Sequence, residues 1–186
     1  MTRTVCAILC GVLIGCAIER EAPSDEHVAY YGDMPEGATA LSPDDVVLLD
    51  KVRGAWSLMG HAQGEYCDEM ARDVGLLRVS RSEFDQILPG FFKKFGKNKS
   101  AAFIKSADTG VVFIWMAAEM DPATYVPTML HELVHMMQFC GQYTGEQSSH
   151  PEQLFDVTGP SVLNCAFYPS EETCGVDVSR ETVDNQ

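Results

Sequence analysis

Two histidines four positions apart, His131 and His135, stand in a run from Thr128 to Phe139 that contains neither glycine nor proline. That spacing points to a helix, where residues i and i+4 lie one above the other on one face. Met129, Leu130, Leu133, Val134, Met136 and Met137 surround the pair with apolar bulk, so the helix is expected to pack into the core. Pro127 suits a first helical turn, where a missing N–H costs nothing, and Gly141 is placed to end the run. A histidine with so apolar a flank is usually a packed core residue. Two at this spacing, with Glu132 between them, are better explained by a metal ion. Both imidazoles can hold it, and the carboxylate can reach a water at its open position.

The residues before this helix read as a hairpin. Ala101–Lys105 and Val111–Met116 are rich in strand formers and flank the turn-prone group Asp108-Thr109-Gly110. A hairpin leading into an H-E-x-x-H helix resembles the zincin metallopeptidase superfamily. The resemblance covers about Ala101 to Gly141, and its specific part is His131-Glu132-Leu133-Val134-His135. It implies a Zn²⁺ cofactor, Glu132 as general base, and a peptide or protein substrate aligned along an edge strand. It also implies an α+β fold, a minimal zincin-like domain with N-terminal helices, a β-hairpin and the H-E-x-x-H helix.

Catalytic zinc needs three protein ligands and one open position. The metzincin pattern would place a glycine and a histidine where this chain has Gln138 and Gly141, so that subclass is excluded. Gluzincins instead take a glutamate from a later helix. Glu171 is the preferred third ligand by that resemblance. Ser170 can cap its helix, and Cys174 stands three positions on, similar to the E-x-x-A spacing of several gluzincins. Glu172 is its neighbour, and Asp177 serves if the register slips. Glu152, with Asp156 four positions later, resembles the E-x-x-x-D arrangement of thermolysin-like enzymes. His150 can also ligate. For an oxyanion donor the available types are Tyr143, Tyr168 and His150.

The first residues read as an address. A short basic start (Arg3) precedes an apolar run from Val5 to Ile14, too short to span a bilayer. Leu13-Ile14-Gly15-Cys16 resembles the lipobox of bacterial lipoproteins, which implies removal of residues 1–15 and lipidation of Cys16. Ala17 follows in place of the aspartate that retains lipoproteins in the inner membrane. The expected location is therefore the bacterial cell envelope, at the outer membrane, with the lipid as the sole membrane contact. Residues 16–40 read as lipidated N-terminus and linker, 41–177 as the folded domain and 178–186 as a flexible tail.

Of seven cysteines, Cys67, Cys140, Cys165 and Cys174 remain once the leader and Cys16 are set aside. An even number in an exported domain suggests two disulfides. Three pairings are possible. Cys67–Cys140 with Cys165–Cys174 is favoured, because it ties the end of the motif helix to an earlier helix and closes a small loop around Glu171.

Ser42-Pro43-Asp44-Asp45 is a helix start, with the helix running to about Met59. Further helices are expected over 64–73 and 82–95, the latter broken or kinked at Pro89-Gly90. The net charge of −14 argues against nonspecific binding to nucleic acid or anionic lipid. Lys93, Lys94, Lys97 and Lys99 form the one basic patch and read as a solvated loop. Two functions stand side by side: a lipid-anchored zinc metallopeptidase, and a non-catalytic metal-binding or interaction lipoprotein of the envelope.

Overall fold

Capping chemistry sets most of the helix starts. The computed structural model describes residues 30–141, 143, 145 and 149–176; Cys16 with the leader, Asp177 and the tail lie outside them. Helix α1 (Pro43–Leu58) begins as expected, with the Ser42 hydroxyl accepting from the Asp45 N–H at 3.2 Å and Pro43 in the first turn. The Asp45 carboxylate answers the Ser42 N–H, completing a capping box. Helix α2 (Glu65–Asp73) buries Cys67 and Met70. The helix expected over 82–95 is two helices, α3 (Arg81–Ile87) and α4 (Phe91–Phe95). Between them Gly90 takes a left-handed φ of 87°, a conformation in which a side chain is strained.

The sheet has four strands, β1 (Thr39–Ala40), β2 (Gly75–Val79), β3 (Ala101–Lys105) and β4 (Val112–Ala117), in the order β1-β2-β4-β3. The expected hairpin is β3–β4. Strand β2 lies parallel to β4 on its other side, and β1 adds antiparallel to β2. All six residues of β4 are buried, so both faces of the sheet are covered. Val112, Ile114 and Met116 belong to the main core. Phe113, Trp115 and Ala117 point the other way, into a second core with Phe84, Leu88 and Phe91. There Trp115 stacks on Phe84, ring centroids 4.1 Å apart.

The main core is closed by α1 and by α5 (Pro122–Cys140), the longest helix among the described residues. Among the described residues two further helices stand between α5 and the last one. These are α6 (Glu152–Phe155) and α7 (Val162–Phe167); the last is α8 (Glu171–Cys174). Both favoured disulfides are present, Cys67–Cys140 and Cys165–Cys174. Helices beside a small mixed sheet make the protein α+β. Part of the stretch read as linker belongs to the fold. Tyr30 is buried, bridges Ser106 and meets Phe113 edge-on, because the chain there laps over the hairpin turn. Among the described residues no helix is long and apolar enough to cross a membrane.

Candidate metal centre

Helix α5 starts one and a half turns earlier than its sequence suggested. Asp121 is the cap, its carboxylate accepting from the Ala123 N–H at 2.9 Å, and Pro122 takes the first position. Pro127 therefore lies inside the helix, where it gives up one i→i−4 hydrogen bond. The apolar residues around the motif are all buried, as their periodicity implies. At the far end Gly141 caps the helix with an extended φ of −74°, not a left-handed one. Glycine is needed there for another reason. A Cβ would stand 2.5 Å from Trp56 Cζ2 and 2.6 Å from the Met137 carbonyl oxygen.

With the apolar stripe fixed inward, His131 and His135 lie half-buried on the other side of α5. His150, just before α6, closes on them. The three Nε2 atoms are 3.1 Å (131–150), 3.2 Å (131–135) and 3.2 Å (135–150) apart. These cannot all be hydrogen bonds, since an N–H aimed at one corner of a triangle points about 60° away from the other. They aim at one point instead. Three nitrogens bound to one ion at 2.0–2.1 Å with tetrahedral angles stand about 3.3–3.4 Å apart. The triangle matches that closely, so the residues fit a metal.

The remaining ring nitrogens and ring faces are supported. Donation from His135 Nδ1 to Gln138 Oε1, 3.3 Å away, leaves Nε2 with its lone pair. His150 Nδ1 lies 3.1 Å from Ser149 Oγ. Phe155 of α6 packs against all three imidazoles, with centroids at 4.9, 4.5 and 4.8 Å from His131, His135 and His150. It backs the site with apolar surface and carries the chain that delivers His150. Burial first, then charge repulsion with His150 and Lys99, holds the His131 pKa down at about 4. His150 is lowered too, by burial and Lys99. Neutral imidazole is the form that binds metal.

Glu132 lies beside the histidines with 6% of its surface exposed. Its Oε2 accepts from the Phe103 N–H of β3 at 2.8 Å. Burial pushes the carboxyl up to about 7, opposed by that hydrogen bond and by Lys99. The strand register explains the donor. Ser100 pairs with Ala117 and Ser106 with Val111 through ladder hydrogen bonds, so the even-numbered residues of β3 bond to β4. Odd-numbered Phe103 turns its N–H outward, to the edge where α5 lies. Lys99, read as part of a solvated loop, places its charge within reach of His131, Glu132 and His150. Arg81 holds its backbone, donating from Nε to the Lys99 carbonyl at 2.9 Å.

The structure thus brings His131, Glu132, His135 and His150 together and leaves the favoured Glu171 out. Among the described residues no carboxylate joins the histidine group. Glu171 and Glu172 are exposed in the first turn of α8. The disulfide from Cys174 ties that helix to α7, so its cap and its cysteine serve packing. Glu152 is exposed on α6, and Asp156 accepts from the Thr158 N–H and hydroxyl at 2.7 and 2.8 Å. Of the oxyanion candidates, the Tyr143 hydroxyl donates to Gln153 Oε1 at 3.1 Å, and Tyr168 is 65% exposed beyond α7. Phe155 and Lys99 carried no local signal that could have marked them. The chain matches no family model, no curated protein and no solved structure. The chemistry of the site must therefore be read from its own atoms.

Proposed function

We propose that this chain is a zinc-dependent metallopeptidase, held at a bacterial cell envelope by a lipid on Cys16. The observation that carries the reading is the triangle of three Nε2 atoms, none more than 3.2 Å from the next, with the buried Glu132 carboxylate beside it. Three neutral imidazoles, with no fourth protein ligand among the described residues, suit catalytic zinc, which keeps one position open. His150 is exposed, so a substrate can approach from that side. Bound there, zinc supplies Lewis acidity that polarises a carbonyl and eases deprotonation of water.

The chain's own groups account for the proton movements. Glu132 takes a proton from the attacking water as its oxygen bonds to the carbonyl carbon. As the C–N bond breaks, Glu132 returns that proton to the leaving amine and regains its charge. The Phe103 N–H fixes one carboxylate oxygen throughout. Lys99, whose charge acts on His131, Glu132 and His150, is the cation that we assign to offset charge on the carbonyl oxygen. Among the described residues no strand covers the outer side of β3 ahead of the Tyr30 bridge at Ser106, so the outward groups that Glu132 and Tyr30 do not hold can align an extended peptide by β-augmentation. The lipid anchor rests on the lipobox resemblance around Cys16.

Elemental analysis of the protein and three variants tests the centre. One zinc per chain is expected. His150→Ala should lose it, and Glu171→Ala and Glu132→Gln should keep it. Peptide hydrolysis should fall by roughly 10³-fold or more in Glu132→Gln, since general-base and positioning effects are both removed. Zinc retained in His150→Ala would sink the three-histidine site. Undiminished hydrolysis in Glu132→Gln would sink the mechanism, and zinc binding without any hydrolysis would favour the metal-binding lipoprotein.

A further inference from the structure

Beside the metal centre stands an exposed aromatic ledge. His131, His135 and Phe139 are spaced by four residues, so Phe139 continues the histidine stripe of α5, about 6 Å further along the axis. Its ring is 41% exposed although the next residue, Cys140, is buried. Phe103, whose N–H holds Glu132, faces it with ring centroids 6.0 Å apart. Tyr66 of α2 is equally exposed, at 42%. Tyr66 and Phe139 each precede one half of the Cys67–Cys140 disulfide, so one cross-link anchors both rings. The Lys105 Nζ lies over both, 4.3 Å from the Phe139 centroid and 6.0 Å from that of Tyr66.

Phe103, and the Lys105 that lies over the other two rings, belong to the strand whose outer backbone groups turn toward this ledge. Phe103 and Lys105 sit at odd positions of β3, the positions whose N–H and C=O point away from β4. A peptide lying against that edge presents alternate side chains to the α5 side. One turn from His135, such a side chain meets Phe139.

We propose that Phe139, flanked by Phe103 and Tyr66, receives a large apolar or aromatic side chain of a peptide lying along β3, and thereby determines where along a substrate the site acts. The inference rests on the metallopeptidase reading for the chemistry, but the binding can be measured without it. A carboxylate gains nothing from the ring faces, and a small polar side chain gains little, whereas an aromatic one buries area against them and can pack edge-on.

The test uses the full chain loaded with zinc and carrying Glu132→Gln, with two fluorescein-labelled peptides that differ only in a central Phe or Ser. The Phe peptide should bind roughly tenfold tighter by anisotropy. Phe139→Ser should erase that difference with zinc content unchanged, and Phe139→Leu, which keeps apolar area, should retain most of it. Equal affinities, no binding of either peptide, or a Phe preference that survives Phe139→Ser would overturn the ledge. Failure of the peptidase reading looks different. The Phe preference then holds, but the chain with Glu132 intact leaves the bound peptide uncut.

Discussion

Tyr125, in the first turn of α5, donates its hydroxyl to Asp45 Oδ1 at 2.8 Å, and Asp45 is buried in the first turn of α1. One residue thus joins the cap of one helix to the start of the helix that carries His131 and His135. Tyr125→Phe should cost about 1 kcal/mol at neutral pH, since Asp45 keeps its bonds from Ser42. Burial, and then the Asp45 hydrogen bond, raise the phenol pKa well above its usual value, with the Arg78 cation opposing. The folded state therefore keeps the neutral form while the unfolded chain ionises near pH 10. The linked stability is whole below pH 10 and is lost as pH rises beyond it. Denaturant titrations at pH 8 and 10.5 should show a shallower alkaline loss in Tyr125→Phe than in the parent, and equal slopes would refute the linkage. The residues of the candidate metal centre show how far single positions can be read. His131, Glu132 and His135 speak through local spacing. His150 does not, because its partnership depends on how the chain returns after α5. Glu171 had the richer local cues, Ser170 as cap and Cys174 three positions on, and both mark a small disulfide-tied helix instead.

The elements were legible where one signal had one meaning. Ser42-Pro43 starts α1, and Pro89-Gly90 divides α3 from α4. Where two signals competed, the reading slipped. Pro122 and Pro127 both suit a first turn, and only the Asp121 side chain decides for Pro122. Strand β2, Gly-Leu-Leu-Arg-Val, shows no alternation because its inner residues are covered on both faces by partners distant in sequence. Two glycines separate local from packing causes. Gly54 lies exposed within α1 with open space around it, so Gly54→Ala should stabilise the protein by up to about 1 kcal/mol through helix propensity. Gly141→Ala should destabilise by about 1–3 kcal/mol instead. The added carbon meets Trp56, which is fully buried and held by its indole N–H to the Ala62 carbonyl at 3.0 Å. Chemical denaturation of the pair should give opposite signs; a stable Gly141→Ala protein would mean that Trp56 can yield.

At the scale of the molecule, the centre is assembled from segments that the backbone alone does not hold together. Helix α5 brings two histidines, and the chain must travel from Gly141 to His150 before Phe155 anchors it against the three rings. Two kinds of clamp, disulfides and a bound metal, oppose the spreading of these parts. Cys67–Cys140 joins residues 73 apart and pins the end of α5 to α2, and in a chain-entropy account it is worth about 4 kcal/mol. Cys165–Cys174 closes only 9 residues and is worth about 2–3 kcal/mol by the same account. The bound metal would be the second clamp, acting on the folded state alone. The two can be told apart by melting. Replacing Cys67 and Cys140 with Ser should lower the Tm by about 10 °C or more, and replacing Cys165 and Cys174 should lower it less. Adding zinc to metal-free protein should raise the Tm of the parent and of both Cys-to-Ser proteins by several degrees at saturation. His150→Ala should leave the metal-free Tm nearly unchanged, because the residue is exposed, but should remove the response to zinc. A zinc response that persists in His150→Ala would place the stabilising ion elsewhere. A metal-free Tm that collapses in that variant would mean that the imidazole holds the loop by packing on Phe155, not through a metal.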